Sequence, residues 1–133
     1  MMMPSAALSY TVVAIGGAIG SVARFAMVNA LSADQLDRIT LATMAVNIVG
    51  STLIGLIAAL TSDKVLLQHF LIVGVLGGYT TFSAFSGQSF RLIMEQRWGF
   101  AAVVILGSVL LCLLGTWMGS VVGRSILGSD AVR

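Results

Sequence analysis

Four long apolar stretches, each closed by charged or polar residues, occupy most of this chain. They cover about residues 9–29, 40–61, 65–94 and 98–124. Each is long enough to cross a hydrocarbon core of roughly 30 Å as an α-helix, which takes about 20 residues. The chain is 58% hydrophobic and only 9% charged, whereas a soluble domain carries roughly 25% charged residues. The pattern predicts an all-α membrane protein with four transmembrane helices, forming one domain over residues 1–133.

The rest of the composition argues against several classes of function. The net charge is +2 and no basic run is present, so nothing suggests a nucleic-acid partner. One cysteine, Cys112, and one histidine, His69, cannot build a disulfide or a multi-ligand zinc site. Ser83 and Ser86 have no embedded histidine or acid to activate them, so we predict no enzymatic activity. The N-terminus lacks the basic region of a signal peptide, so we expect the first apolar stretch to be a retained span.

Lysine and arginine are distributed almost evenly between the two sides of the predicted membrane domain. One side holds Lys64, Arg124 and Arg133, and the other holds Arg24, Arg38, Arg91 and Arg97. Because the bias in these residues sets the orientation of a membrane protein, so small a difference is compatible with insertion both ways up and with an antiparallel dimer. A single orientation, set by Arg91 and Arg97, is the alternative.

Small residues follow one face of two predicted spans. They are Gly16, Gly17 and Gly20 in the first span, and Gly115, Gly119 and Gly123 in the fourth. Such stripes let helices approach closely. Four packed helices leave no wide lumen, so we expect an oligomer, and the stripes are candidates for its contacts. Packing within one subunit is the alternative for each stripe.

Polar side chains recur every four residues in two spans and therefore lie along one face of each helix. They are Thr43, Asn47 and Ser51 in the second span, and Ser108, Cys112, Thr116 and Ser120 in the fourth. A polar group at membrane depth costs free energy unless it is paired or faces water. The two tracks indicate a path lined by neutral hydrogen-bond donors. Bonds between helices, or bonds to carbonyls in the same helix, are the alternative.

The third predicted span contains an interruption. Two glycines and two β-branched threonines within Gly77–Thr81 are poor helix formers, so we expect the helix to be broken there. Non-helical backbone at membrane depth is stable only if its carbonyls and amides find partners in protein, water or an ion. The freed carbonyls could coordinate a small cation such as Na⁺, together with those of a symmetry mate. A kink satisfied by nearby serine and threonine side chains is the alternative.

Two aromatic rings and one cation complete the set of candidate site residues. Phe82 and Phe85 share a helical face, which is typical of core packing, but ring edges are electropositive and would also attract an anion beside the Asn47 amide. Arg24, late in the first span, either extends to the interface or sets a positive potential at a pore mouth.

Acidic residues are missing from the predicted spans. Asp34, Asp37, Asp63, Glu95 and Asp130 all fall in connections or in the tail. A small proton-coupled exporter of organic cations needs an embedded carboxylate, so that function is the less favoured alternative. A membrane subunit that transports nothing, and whose polar tracks only pack, is a third.

The chain resembles the Fluc (CrcB) family of fluoride channels over essentially its full length. The run from Gly77 to Phe85 is similar to the GGxTTFSTF motif of that family, and the residues from Thr43 to Asn47 are similar to its GTLxVN pattern. The resemblance implies a multi-pass protein of the bacterial inner membrane. It also implies an antiparallel, dual-topology homodimer whose two pores export fluoride passively and confer fluoride resistance.

The same resemblance implies roles for individual residues. The positions that match the lining of the family's pore, or lie near it, are Asn47, Thr81, Phe82, Ser83, Phe85, Ser108, Cys112 and Thr116. Gly77 and Thr80 match positions whose backbone carbonyls, from both subunits, hold a structural Na⁺. Arg24 is a candidate vestibule residue.

Three positions depart from the family pattern. Ala84 stands where the third-span motif commonly has threonine, and Ala42 where the second-span pattern has glycine. Cys112 occupies a track position that is often serine, and a thiol is a weaker hydrogen-bond donor than a hydroxyl.

Overall fold

The structure is a computed structural model that describes residues 4–32 and 35–130, and every regular element in those ranges is helical. The elements are α1 (Ala6–Leu31), α2 (Leu36–Leu60), α3 (Val65–Gln68), a π-helical segment (His69–Leu76), α4 (Gly77–Tyr79), α5 (Phe82–Met94) and α6 (Trp98–Asp130). Four helical stretches of the described chain are long and apolar enough to cross a membrane: Ala6–Leu31, Leu36–Leu60, Val65–Met94 and Trp98–Gly128. The predicted all-α architecture with four spans is confirmed. Asp34 and Arg133, which entered the charge argument, lie outside the described residues.

The helices begin earlier or end later than the apolar stretches alone indicate. The Ser5 hydroxyl caps α1 by accepting the Leu8 N–H at 3.3 Å, a contact that the polarity of the segment did not suggest. Helix α2 starts at Leu36, so Asp37 and Arg38 lie in its first turn. The sequence placed both residues in a loop, and that prediction was wrong. A carboxylate is favourable in the first turn because it faces the positive end of the helix dipole.

An ion pair ties the start of α2 to the turn between α5 and α6. Both terminal nitrogens of Arg97 donate to the Asp37 carboxylate, at 2.5 and 2.8 Å. This bonding raises the pKa of Arg97 above its ordinary value. The guanidinium also lies 5.2 Å from the centre of the Phe100 ring. The pair therefore holds together two segments that are 60 residues apart in sequence.

Glycines mediate the two closest helix contacts, and both are within the chain. A side-chain carbon at Gly20 of α1 would collide with the Val75 carbonyl, and one at Gly16 would lie 2.6 Å from the Phe70 carbonyl. In α6, a carbon at Gly119 would collide with the Thr52 carbonyl of α2. Gly16, Gly20 and Gly119 therefore serve packing within one subunit, and a role of the stripes in contacts between subunits stays a prediction.

The third span changes its helix type before it breaks. Its π-helical segment packs against α1, and His69 at its start lies 3.1 Å, Nδ1 to Oγ, from Ser9. The backbone then becomes extended at Thr80 (φ −80°, ψ 155°) and Thr81 (φ −150°, ψ 117°) before α5 begins. The predicted break is confirmed. The π-helical segment was not predicted, because that helix type uses the same apolar residues as an α-helix.

Candidate functional site

The side chain of Asn47 is bound to the backbone at the break. Its Oδ1 accepts the Thr81 N–H at 2.8 Å, and its Nδ2 donates to the Thr81 carbonyl at 3.0 Å. In an uninterrupted helix the Thr81 N–H would bond to the Gly77 carbonyl, so the Asn47 contact leaves that carbonyl without its helical donor. An amide nitrogen carries two hydrogens, and the Thr81 bond uses one of them.

The side chain of Thr81 caps the N-terminus of α5. Thr81 Oγ1 accepts the Ala84 N–H at 3.2 Å and lies 3.2 Å from the Ser83 hydroxyl. This N-cap takes the N–H that would otherwise reach the Thr80 carbonyl. The N-terminus of a helix carries a partial positive charge, so the break presents positive potential beside Phe82.

Arg24 also binds the break, from the α1 side. Its Nε donates to the Gly78 carbonyl at 3.1 Å. Both the Thr80 N–H and the Thr80 hydroxyl donate to the Leu76 carbonyl, each at 2.9 Å. Side chains of three spans therefore bind several of the backbone groups released by the break, in the way that membrane depth requires. Within the described chain, the Gly77 and Thr80 carbonyls keep no helical donor. The contact to Gly78 was missed by sequence reasoning, which considered only the interface and a pore mouth for Arg24.

A cavity of about 260 Å³ opens at the break, where α2, the third span and α6 converge. Its wall consists of Asn47, Ser51, Ile54, Thr80, Thr81, Phe82, Phe85, Ser108, Val109 and Cys112. The rings of Phe82 and Phe85 lie 5.5 Å apart and are tilted by 54°. Ser108 is only 5% exposed, and among the described residues its hydroxyl has no hydrogen-bond partner. Six of the predicted pore residues thus meet around one cavity, and their role in ion passage stays a prediction.

The remaining predicted residues lie off this wall. Ser83 is exposed at the start of α5, and Gly77 is exposed on α4. The Thr116 hydroxyl lies 3.1 Å from the Ser51 carbonyl and 3.0 Å from the Cys112 carbonyl. The Thr116 hydroxyl therefore bonds to backbone carbonyls of α2 and of its own helix, which is the alternative to a pore-lining role.

A second cavity, of about 320 Å³, lies on the other side of Thr81. Its lining includes Arg24, Thr43 and Gln88 as well as Thr81 itself. Gln88 donates from Nε2 to the Thr43 hydroxyl at 2.9 Å, and its buried Oε1 has no partner among the described residues. Sequence reasoning missed Gln88, although its position one helical turn beyond Phe85 was a usable signal.

Comparison with known proteins matches residues 11–120 to the family model described as CrcB-like protein, Camphor Resistance (CrcB). The chain belongs to the CrcB family. Its relatives include three proteins named fluoride-specific ion channel FluC. The one from Opitutus terrae is 40% identical over 118 residues, which are 84% of this chain and 89% of the relative. The one from Magnetococcus marinus is 41% identical over 118 residues, with coverages of 86% and 96%. The one from Paramagnetospirillum magneticum is 38% identical over 125 residues, with coverages of 90% and 98%.

The cavity at the break of this CrcB-family chain is lined by neutral groups. Amide, hydroxyl and thiol donors stand on its wall together with two aromatic rings, and no charged side chain in the described part of the chain contributes to it. Within the four described spans the one acidic residue is Asp37, in the first turn of α2. No group of three His, Cys, Asp or Glu side chains in the described residues could hold a metal ion. The cavity is therefore suited to a small anion and not to an organic cation exchanged for protons.

Proposed function

We propose that this chain is a fluoride channel through which the ion leaves bacterial cells passively across the inner membrane. Relatives named as fluoride-specific channels cover most of the chain, and its four apolar helices fit a multi-pass membrane protein. The observation that carries the proposal is the cavity at the break, where Asn47, Phe82, Phe85 and Ser108 meet.

The lining offers fluoride replacements for its water without a full positive charge. The second amide hydrogen of Asn47 and the unpartnered Ser108 hydroxyl are available donors. The electropositive edges of Phe82 and Phe85 add weak attraction. Binding strong enough to remove water, yet too weak to hold the ion, is what conduction requires. The positive N-terminus of α5 draws the anion to the break.

The complete channel consists of two antiparallel copies, each contributing to two pores. This arrangement is supported by the near balance of basic residues on the two sides of the membrane, three against four. It is also supported by Phe82, which is 77% exposed in one chain although its ring borders the cavity. A second copy would cover this ring and close the open side of the cavity.

We also propose that the carbonyls of Gly77 and Thr80, from both copies, hold a structural Na⁺. The donors that an unbroken helix would direct to these carbonyls are used elsewhere, by Asn47 and by the Thr81 hydroxyl. Carbonyl oxygens are suitable ligands for an alkali cation, so the residues fit the ion. Bound Na⁺ would neutralise facing carbonyl dipoles. Replacing Na⁺ by N-methyl-D-glucamine during purification should lower the unfolding temperature in detergent, and an unchanged temperature would contradict the site.

The function is tested by anion efflux from liposomes that contain the purified protein and a K⁺ ionophore. We expect rapid release of fluoride and little release of chloride, because a narrow path lined by hydrogen-bond donors admits the small ion and excludes the larger halide. Phe82→Ile removes a ring edge and should slow fluoride efflux by about tenfold or more.

Phe90→Ile is the matched control, since Phe90 lies on the same helix, is 63% exposed and is absent from the cavity wall. It should leave the efflux unchanged. Equal release of fluoride and chloride would overturn the proposal, as would equal effects of the two substitutions.

A further inference from the structure

The single cysteine of the chain lies on the wall of the cavity at the break. Cys112 is half-buried in α6, one helical turn after Ser108. Ser108 lies on the same cavity wall as the thiol. Its hydroxyl is buried, lines the same cavity and has no hydrogen-bond partner among the described residues. Leaving such a group unpaired is unfavourable, so the cavity favours a polar guest beside the thiol.

We propose that Cys112 is a modification site at which small, neutral thiol-reactive compounds close the ion path. The proposal rests on the proposed function, because closure is measured as a loss of fluoride efflux. Polar guests that reach Ser108 also reach the thiol one turn away on the same wall. Access of this kind, together with formation of the thiolate, determines whether a cysteine reacts.

Methyl methanethiosulfonate is a probe of suitable size and charge. The Cys112 thiolate attacks the sulfenyl sulfur of the reagent, and a disulfide forms between Sγ and the methylthio group. The sulfur–sulfur bond of the reagent breaks, methanesulfinate leaves with the electron pair, and the thiol proton passes to water. No external oxidant is required, because the reagent supplies the oxidised sulfur.

The adduct should obstruct the cavity in two ways. It replaces the S–H donor by an apolar methylthio group, so one hydrogen bond for an anion is lost. It also fills part of a space of only about 260 Å³ that has Asn47 and Ser51 on its α2 wall. A strongly hydrated ion would then find less space and one hydrogen-bond donor fewer at the same point of the cavity.

The experiment treats reconstituted protein with this reagent at about pH 8, where thiolate forms readily. Intact mass should show one methylthio group per chain, and fluoride efflux should fall by about tenfold. Dithiothreitol should remove the group and restore the efflux. Cys112→Ser, compared with itself before and after treatment, should gain no mass and lose no efflux.

A displaced thiol provides the matched control. The double variant Cys112→Ser/Gly128→Cys carries its thiol at the exposed end of α6, where an added side-chain carbon meets no atom of the described neighbours within 4 Å. It should gain the group without losing efflux. An unlabelled native chain, or a labelled one with full efflux, would overturn the inference. If untreated protein released no fluoride, the proposed function would fail instead, and the mass measurement would still decide whether the thiol is accessible.

Discussion

Asn47 combines two tasks in one side chain. It binds both the N–H and the carbonyl of Thr81, and it lines the cavity in which we propose that fluoride binds. The sequence identified Asn47 as a costly polar residue on the face shared with Thr43 and Ser51. It could not identify Thr81 as the partner, because that contact depends on how far α2 is shifted along the third span.

Replacing Asn47 by alanine should therefore affect stability as well as transport. Asn47→Ala leaves two backbone groups of Thr81 without partners at membrane depth, at a cost of about 1–3 kcal/mol for each. We expect a lower unfolding temperature in detergent and a loss of fluoride efflux from liposomes.

Thr52→Ala serves as the control for Asn47→Ala. Among the described residues, the Thr52 hydroxyl bonds to the Ile48 carbonyl of its own helix alone, at 2.9 Å, and Thr52 is absent from the cavity wall. Its unfolding temperature and its efflux should stay close to those of the unchanged chain. If the two substitutions lowered the unfolding temperature equally, Asn47 would have no special role in holding the break.

At the scale of helices, the glycines of α1 show how a single position decides a contact. Gly20 faces the backbone of the π-helical segment, whereas a side-chain carbon at Gly17 would meet no described atom outside its own helix backbone within 4 Å. Both belong to the same sequence cluster. The sequence therefore predicted close helix packing but could not show which glycine of the cluster makes the contact.

Gly20→Ala and Gly17→Ala form a matched pair of substitutions in one helix. Gly20→Ala forces α1 away from the Val75 carbonyl, and overpacking of this kind costs about 1–3 kcal/mol. Gly17→Ala should be neutral or slightly stabilising, since alanine is the better helix former. Thermal unfolding in detergent measures both variants, and equal unfolding temperatures would contradict the close contact at Gly20.

The helix break and the start of α2 show what local sequence can and cannot predict. Gly77–Thr81 predicted the break because glycine and β-branched residues weaken a helix in any surroundings. Asp37 was assigned to a loop because it is charged, yet it lies in the first turn of α2. Its partner, Arg97, is 60 positions away, so no local pattern could have indicated the pairing.

For the molecule as a whole, the spans were predictable and the contacts between them were not. Hydropathy determines which segments enter the membrane, and the four predicted spans match the helices of the structure. Hydropathy does not indicate that α6 packs against α2, because lipid and protein interior are equally apolar. That pairing depends on the glycine contacts between the two helices.

The near balance of basic residues predicts that copies insert in both orientations. Reporter proteins fused to the C-terminus, one active only in the cytoplasm and one only outside it, should therefore both be active. Activity of a single reporter would overturn the antiparallel dimer.

Two added lysines should shift this balance in opposite directions. Ser62→Lys and Gln35→Lys place one charge each in exposed connections on opposite sides of the membrane. Because lysine favours the cytoplasmic side, each variant should increase the reporter signal that the other decreases. Parallel shifts in the two variants would contradict the assignment of sides.

Thr81 borders both of the cavities described here, and its amide and carbonyl are fixed by Asn47. The part that Thr81 contributes to the wall between the two cavities is thus main chain held in place by Asn47. A peptide group whose N–H and carbonyl are both hydrogen-bonded does not change between rotamers as a side chain does. Discrimination by ionic radius at this wall would consequently be insensitive to the thermal motion that widens gates built from flexible side chains.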